Sequence, residues 1–326
     1  MSLRYLVTGA AGFIGARVTE FLTADGHAVV GIDNLNDAYD VRVKEYRLAR
    51  LKQQPGFAFY RGDICDRPLL EKIGTEQGTI NAVFHLAARA GVRASTENPW
   101  GVVDTNLVGS LNLLEFARQF NIPKFVLAST SSIYGAEPPL PTPEEADSSH
   151  PLQQYAASKK AAEALSHVYH HLYGLDVTIF RYFTVYGPAG RPDLALFRFV
   201  QWIAEGRPIR LNGDGSQSRG FTYVDDIARG TILGLRPLGY EIINLGGHES
   251  ISMNDLIAMV EEILGNHAEI VHAPFHRADI MNNLADVSKA RRLLGWEPQV
   301  GLTEGVRNLV NWYLSERTWT SQVLTE

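Results

Sequence analysis

The chain has 326 residues, 45% hydrophobic and 20% charged, a composition that excludes a disordered or fibrous protein and suggests one large or two medium domains. A net charge of −6 gives no case for a nucleic-acid surface, and a single cysteine, Cys65, excludes an intramolecular disulfide or a cysteine metal cluster. No apolar run reaches membrane-spanning length and no leader pattern opens the chain, so a cytoplasmic protein is expected.

Tyr5-Leu6-Val7-Thr8 predicts a buried parallel strand. The turn Gly9-Ala10-Ala11-Gly12-Phe13-Ile14-Gly15 follows and opens a helix from Phe13 to Ala24, with Ile14, Val18, Phe21 and Leu22 on one face. Asp25-Gly26-His27 ends that helix, and Ala28 to Ile32 forms a second strand ending at Asp33. Glycines here let the backbone approach a pyrophosphate, whose charge sits at the helix N-terminus. The spacing is G-x-x-G-x-x-G. A carboxylate at Asp33 can hold a ribose 2′-hydroxyl and repels a 2′-phosphate; Asn34-Leu35-Asn36-Asp37, without an arginine, favours NAD over NADP.

The alternation continues. Phe57–Tyr60 predicts a strand leading to Gly62-Asp63-Ile64, and Ala82–Leu86 another leading to Ala87 and Ala88. A helix over Thr105–Phe120, a strand over Phe125–Ser129, a helix to Tyr173 and a strand over Val177–Tyr182 come next. Strands and helices alternating through short links predict an α/β fold, a doubly wound parallel sheet with ligands beyond the carboxyl ends of its strands. Gly9, Asp33, Asp63, Ala87, Ser129 and Phe183 fall at such ends. After Tyr182 the pattern loosens. Residues 1–180, with 223–247 returning, are expected to form the NAD-binding domain; 181–222 and 248–315 a smaller, mostly helical substrate domain; and 316–326 a weakly tethered tail.

Tyr155-Ala156-Ala157-Ser158-Lys159 carries the chemistry. Residues four apart share a helix face, so the lysine cation is expected to lower the tyrosine pKa and prepare a general base. His85 reads as a buried, satisfied histidine. His167, His170 and His171 lack carboxylate partners at metal spacing, so no metal is expected.

These motifs, with His85-Leu86-Ala87-Ala88, Ser131-Ser132-Ile133-Tyr134-Gly135 and Arg219-Gly220-Phe221-Thr222-Tyr223-Val224-Asp225-Asp226, occur in the order found in extended short-chain dehydrogenase/reductases, which the chain resembles over nearly its whole length. Ala90-Gly91-Val92-Arg93, Glu97-Asn98-Pro99 and Phe183-Thr184 through Arg191-Pro192-Asp193 resemble the UDP-glucuronate 4-epimerases of that family. UDP-galactose 4-epimerases usually carry Asn where Thr184 stands. The resemblance implies NAD held by Gly9, Gly12, Phe13, Ile14, Gly15, Asp33, Asn34, Asp63, Ile64, Leu86, Ala87, Ala88, Tyr155, Lys159 and Tyr182. It implies proton transfer by Tyr155 at the sugar 4-hydroxyl, a transient 4-keto sugar, and a hydroxyl partner in Ser131, with Thr130 and Ser132 as rivals. It also implies sugar or diphosphate contacts from Arg93, Thr184, Arg191, Arg219, Arg277 and Asp279, although Arg277-Ala278-Asp279 is shorter than the family's usual Arg-x-Gly-Asp. Related dehydratases and decarboxylases place an acid where this chain has Thr130-Ser131-Ser132. Hydroxyls there favour epimerisation over elimination. A UDP-glucose/UDP-galactose 4-epimerase is the alternative; a non-catalytic NAD-binding regulator is disfavoured by Tyr155 and Lys159. Apolar Leu113, Ala161, Leu165 and Val168 on two helices that relatives pair across a two-fold axis predict a homodimer.

Overall fold

Alternate residues of the main strands feed two separate cores. Tyr5, Val7, Phe84 and Val126 pack on one side of a sheet, and Leu6, Val83, Phe125 and Leu127 on the other. A strand with both faces covered is apolar throughout rather than alternating; Lys124–Thr130 is buried at every position. The computed structural model describes residues 2–92, 94–247, 249–275 and 280–325.

The strands in chain order are β1 (Arg4–Thr8), β2 (Ala28–Asp33), β3 (Phe57–Arg61), β4 (Ala82–His85), β5 (Lys124–Thr130), β6 (Asp176–Tyr182), β7 (Thr184–Tyr186), β8 (Ile209–Asn212), β9 (Ser218–Tyr223) and β10 (Tyr240–Leu245), followed by β11 (Ser250–Ser252), β12 (Ile270–Ala273) and β13 (Asn282–Asn283). The main sheet runs β10-β6-β5-β4-β1-β2-β3 and is parallel throughout. From β1 the chain winds outward to β3, then crosses back to β4. The crevice at that reversal, between β1 and β4, is where a parallel sheet of this kind receives its ligand. The expected return of the strand near residue 243 is observed, with β10 pairing β6 at the edge.

Helices α1 (Phe13–Ala24), α2 (Val41–Leu51) and α3 (Arg67–Gln77) cross between the first strands. Short α4 (Ala94–Glu97) and α5 (Pro99–Val103) lead through a π-helical turn, Asp104–Val108, into α6 (Gly109–Gln119). The long α7 (Gln154–Tyr173) brings Tyr155 and Lys159 to the ends of β4 and β5. Helix α1 matches the sequence reading, and α2 is an element that reading did not reach.

A third core gathers Tyr186, Phe199, Phe221, Leu256 and Tyr313 in the C-terminal half. Helices α8 (Ala195–Ala204), α9 (Val224–Leu233), α10 (Met253–Leu264), α11 (Ser288–Leu294) and α12 (Leu302–Ser315) belong to this part of the chain, with β9 joining β7, β11 and β13 in a small sheet. Here β8 and β12 form a separate pair. The last residues correct an expectation. Instead of hanging loosely, they are tied to both halves: Gln201 donates to the carbonyls of Thr320 and Val323, and the Leu324 amide donates to Asp40. Buried Thr320 and Val323 make the segment part of the fold. Among the described residues no helix is long and apolar enough to cross a membrane.

Candidate functional site

One cleft of about 1690 Å³ runs from the glycine turn to the small sheet. Every residue expected to hold the cofactor lines it, from Gly9, Gly12, Phe13, Ile14 and Gly15 through Asp33, Asn34, Asp63 and Ile64 to Leu86, Ala87, Ala88, Tyr155, Lys159 and Tyr182. So do Thr130, Ser131, Ser132, Thr184, Arg191 and Arg219. Arg93, Arg277 and Asp279 lie outside the described residues.

The turn needs its glycines for space. Gly9 has φ +68°, and a Cβ there would lie 2.8 Å from the Ala87 backbone; a Cβ on Gly15 would lie 2.1 Å from the Gly9 carbonyl oxygen. Backbone this close leaves the first amides of α1 facing the cleft, the arrangement that accepts a pyrophosphate. Asp33 is fixed from both sides. Its Oδ2 accepts from the Ala11 amide at 3.0 Å and its Oδ1 from Leu35 at 2.8 Å. Asn34 donates to Asp63 at 2.7 Å, so the residues expected around an adenosine form one hydrogen-bonded group.

His85 is fully buried between Thr8 and Ser110, each at 2.9 Å, and burial holds its pKa well below the ordinary value. It is a neutral, satisfied histidine, as the sequence suggested. The Thr8 hydroxyl also accepts from the Ala87 amide, which sets the loop after β4.

Tyr155 and Lys159 share a face of α7, but the expected effect of one on the other is not what the geometry gives. Burial raises the Tyr155 pKa, opposed by the Thr130 hydroxyl beside it and by the charge of Arg191. The buried Lys159 Nζ has no hydrogen-bond partner among the described residues. Burial brings its pKa down to about 8, with Glu163 opposing. Helical spacing puts two residues on one side of a cylinder; it does not bring their polar ends together. An orphaned, fully buried ammonium calls for acceptors from outside the protein. The ribose hydroxyls of a nicotinamide cofactor would meet that demand.

The three hydroxyls of the triplet have different protein partners. Thr130 is the member beside Tyr155, and it donates to Ser132 at 3.2 Å. Ser131, the favoured candidate, instead accepts from Asn283 at 3.2 Å. Residue type gave no means of telling three adjacent hydroxyls apart; their order around a short 3-10 turn at Ser131–Tyr134 puts Thr130 next to Tyr155.

Arg191 grips Asp193 through Nε at 3.0 Å and Nη2 at 2.5 Å. That pairing raises the arginine's pKa further and lowers the carboxylate's. Arg219 donates to the carbonyls of Ile280 and Met281, closing the small sheet around the cleft.

Three residues at the site carried no legible signal. Asn106, in the π-helical turn, clamps the Arg89 backbone and donates to Ser158 at 3.0 Å, joining the cofactor loop to α7. Asn283 arrives from β13, 152 positions from Ser131. Lys44 lines the cleft from α2, where burial lowers its pKa to about 8 and Asp33 opposes. The π turn that presents Asn106 is a bulge of the kind common at functional sites, visible only in the structure.

A doubly wound sheet, a glycine turn closed on Asp33 and a Tyr–Lys helix beside a hydroxyl triplet define a nucleotide-cofactor enzyme of the short-chain dehydrogenase/reductase kind. The chain belongs to the NAD dependent epimerase/dehydratase family, which matches residues 5–246. It is 57% identical over 309 residues to a UDP-glucuronate 4-epimerase of Thermodesulfobacterium geofontis, covering 94% of this chain and 95% of that one. A UDP-glucuronic acid 4-epimerase from Bacillus cereus, solved with UDP-glucuronic acid and NAD, superposes with a TM-score of 0.90 at 35% identity, covering 96% of this chain and all of the other. A UDP-glucose 4-epimerase from Thermotoga maritima, solved with UDP-glucose, gives 0.89 at 33% identity, covering 97% and 100%.

Proposed function

We propose that this enzyme uses NAD to invert carbon 4 of UDP-glucuronate, giving UDP-galacturonate through a 4-keto sugar. The observation that carries this reading is the neighbourhood of Tyr155: a hydroxyl from Thr130, the positive charge of Arg191, and no acid in the Thr130-Ser131-Ser132 triplet. Bound NAD supplies a reversible hydride acceptor for carbon 4. Tyr155 takes the proton from the 4-hydroxyl and gives it back to the same oxygen after the 4-keto sugar has turned its other face to the cofactor. Thr130 steadies the oxygen, with Ser131 and Ser132 shaping the turn. Lys159 holds the cofactor ribose, while the positive charge beside the phenolate comes from Arg191. Without a carboxylic acid in the triplet, dehydration lacks its proton donor.

The sugar carboxylate requires a cationic partner once water is displaced, because an unpaired buried carboxylate is costly. Arg191 fills that role in this reading. It uses Nε and Nη2 on Asp193, and its Nη1 makes no hydrogen bond among the described residues. Thr184 lines the cleft on the adjoining strand β7, and Arg219 with Arg277 would hold the diphosphate. Arg191→Ala should cost about 10- to 100-fold in kcat/KM for UDP-glucuronate, the scale of one charged hydrogen bond, and much less for UDP-glucose. Side-by-side assays of both sugars decide it. A wild type that prefers UDP-glucose or UDP-galactose would leave a neutral-sugar 4-epimerase, the reading favoured by the equally good Thermotoga superposition.

The same reading divides the chain into a cofactor domain, 1–180 with 223–247, and a substrate domain, 181–222 with 248–315; the separate third core supports it. A cytoplasmic homodimer completes it. Val108, Leu111, Val168, Leu172 and Tyr173 leave apolar surface exposed on the π turn, α6 and α7. Leu113, expected on that face, is fully buried in the core beneath the sheet. Leu172→Glu should convert a dimer to monomer by sedimentation at micromolar concentration; a monomeric wild type would refute the assembly.

A further inference from the structure

Arg47 is a buried cation on the inner face of α2, shared with Val43, Lys44, Leu48 and Leu51. A charge in that position is retained only when its hydrogen bonds are satisfied. Arg47 spends all of them on backbone and one phenol. Its Nη1 donates to the Ala11 carbonyl at 3.0 Å and to the Tyr39 hydroxyl at 2.8 Å. Its Nε and Nη2 donate to the Ala189 carbonyl at 2.8 and 2.6 Å, and Nη2 also reaches Gly190 at 3.1 Å.

Those partners belong to two different walls of the cleft. Ala11 is in the glycine turn, and its own amide is held by Asp33. Ala189 and Gly190 immediately precede Arg191. Ala189 has φ +52°, a conformation that side-chain-bearing residues avoid, so this loop needs outside support to keep its shape. The Tyr39 ring adds a second link, with the Arg47 guanidinium 5.7 Å and the Arg191 guanidinium 5.8 Å from its centroid.

We infer that Arg47 is a positioning residue that fixes the Arg191 loop against the cofactor turn, so that sugar selectivity at Arg191 depends on a side chain that touches neither sugar nor cofactor. The inference rests on the proposed role of Arg191 in recognising the sugar carboxylate. Its fork geometry matters, because a lysine cannot donate to Ala11, Tyr39, Ala189 and Gly190 at once.

The test uses the full-length, NAD-loaded protein with Arg47→Met, Arg47→Lys and Tyr39→Phe, each read in two ways. Hydrogen exchange of the amides from Gly187 to Asp193 should speed up about 10-fold in Arg47→Met, as local opening becomes easier, and less in Arg47→Lys. The ratio of kcat/KM for UDP-glucuronate over UDP-glucose should fall about 10-fold at unchanged NAD content, in keeping with the sensitivity of bound geometry to remote displacement. In an Arg191→Met background, Arg47→Met should lower that ratio no further, because coupled residues are not additive. Unchanged exchange in the loop overturns the inference, as does an intact ratio or an additive loss. Should Arg47→Met fail to fold, Arg47→Lys and Tyr39→Phe carry the same readouts. A wild type active on neither sugar defeats the functional reading alone, and the exchange measurement still decides Arg47.

Discussion

The two walls of the cleft are built in opposite ways. The cofactor wall is made of consecutive strand ends, and its polar work is done mostly by backbone: the Gly9 turn, the Ala11 amide on Asp33, the Ala87 amide on Thr8. The opposite wall, proposed above to hold the sugar, collects side chains from distant stretches, with Ser131 meeting Asn283, and Arg219 meeting the Ile280 carbonyl. A wall of backbone is tolerant of most side chains but not of bulk at its glycines. A wall of side chains depends on individual residues and can change specificity one substitution at a time. Arg47 bridges the two, which is why its loss should be felt on the sugar side while the cofactor stays bound.

The comparison breaks most sharply at Tyr155, where the walls meet. Tyr155→Phe should lower turnover at least about 100-fold, the scale of a general base, with NAD content unchanged by absorbance after denaturation. Near-normal turnover would remove Tyr155 from the chemistry.

On the cofactor wall, Asp33→Ser should weaken NAD and narrow its advantage over NADP by about 10-fold, since a carboxylate both binds the 2′-hydroxyl and repels a 2′-phosphate. Titration of the NAD-free protein with both nucleotides measures it. The sugar preference of the same variant should stay within twofold of wild type; a larger change would mean the two walls are not separable.

The smallest effect is on stability. Lys159 and Lys44 each have a pKa near 8 in the fold, against an ordinary 10.5. Below pH 8 both states carry the protons and the cost of burying the charges is fully present. Above it the fold loses protons that the unfolded chain keeps, so the unfolded chain binds more protons and stability rises with pH. Between about pH 8 and 10, NAD-free protein should gain about 1–2 kcal/mol from Lys159, seen as a shift in urea midpoint. Lys159→Met should reduce the rise to the part that Lys44 contributes, and an equal rise in the variant would show that Lys159 does not titrate in this window.

Local signals explain what could be read in advance. The glycine turn, Asp33 and the apolar strands are each encoded within a few residues, so α1, the parallel sheet and one lining of the cleft were legible. The Tyr155–Lys159 spacing put both residues on the cleft but misjudged their electrostatics, because burial acts through everything packed around a group. Helix α2 escaped notice because Lys44 and Arg47 interrupt its buried face. Leu113 looked available for a partner, and only the packing of α6 onto α3 and β4 shows it in the core.

The sequence by itself determined the fold class, the cofactor turn and the family, since each depends on residue type at short spacing. The tertiary structure alone decided that Thr130 stands by Tyr155, that Asn283 reaches Ser131, that the last residues fasten both halves, and that Arg47 ties the Arg191 loop to the glycine turn. Contacts across 142 positions, such as Arg47 to Ala189, leave no periodicity or motif to read. They exist only once separate cores have brought those segments together.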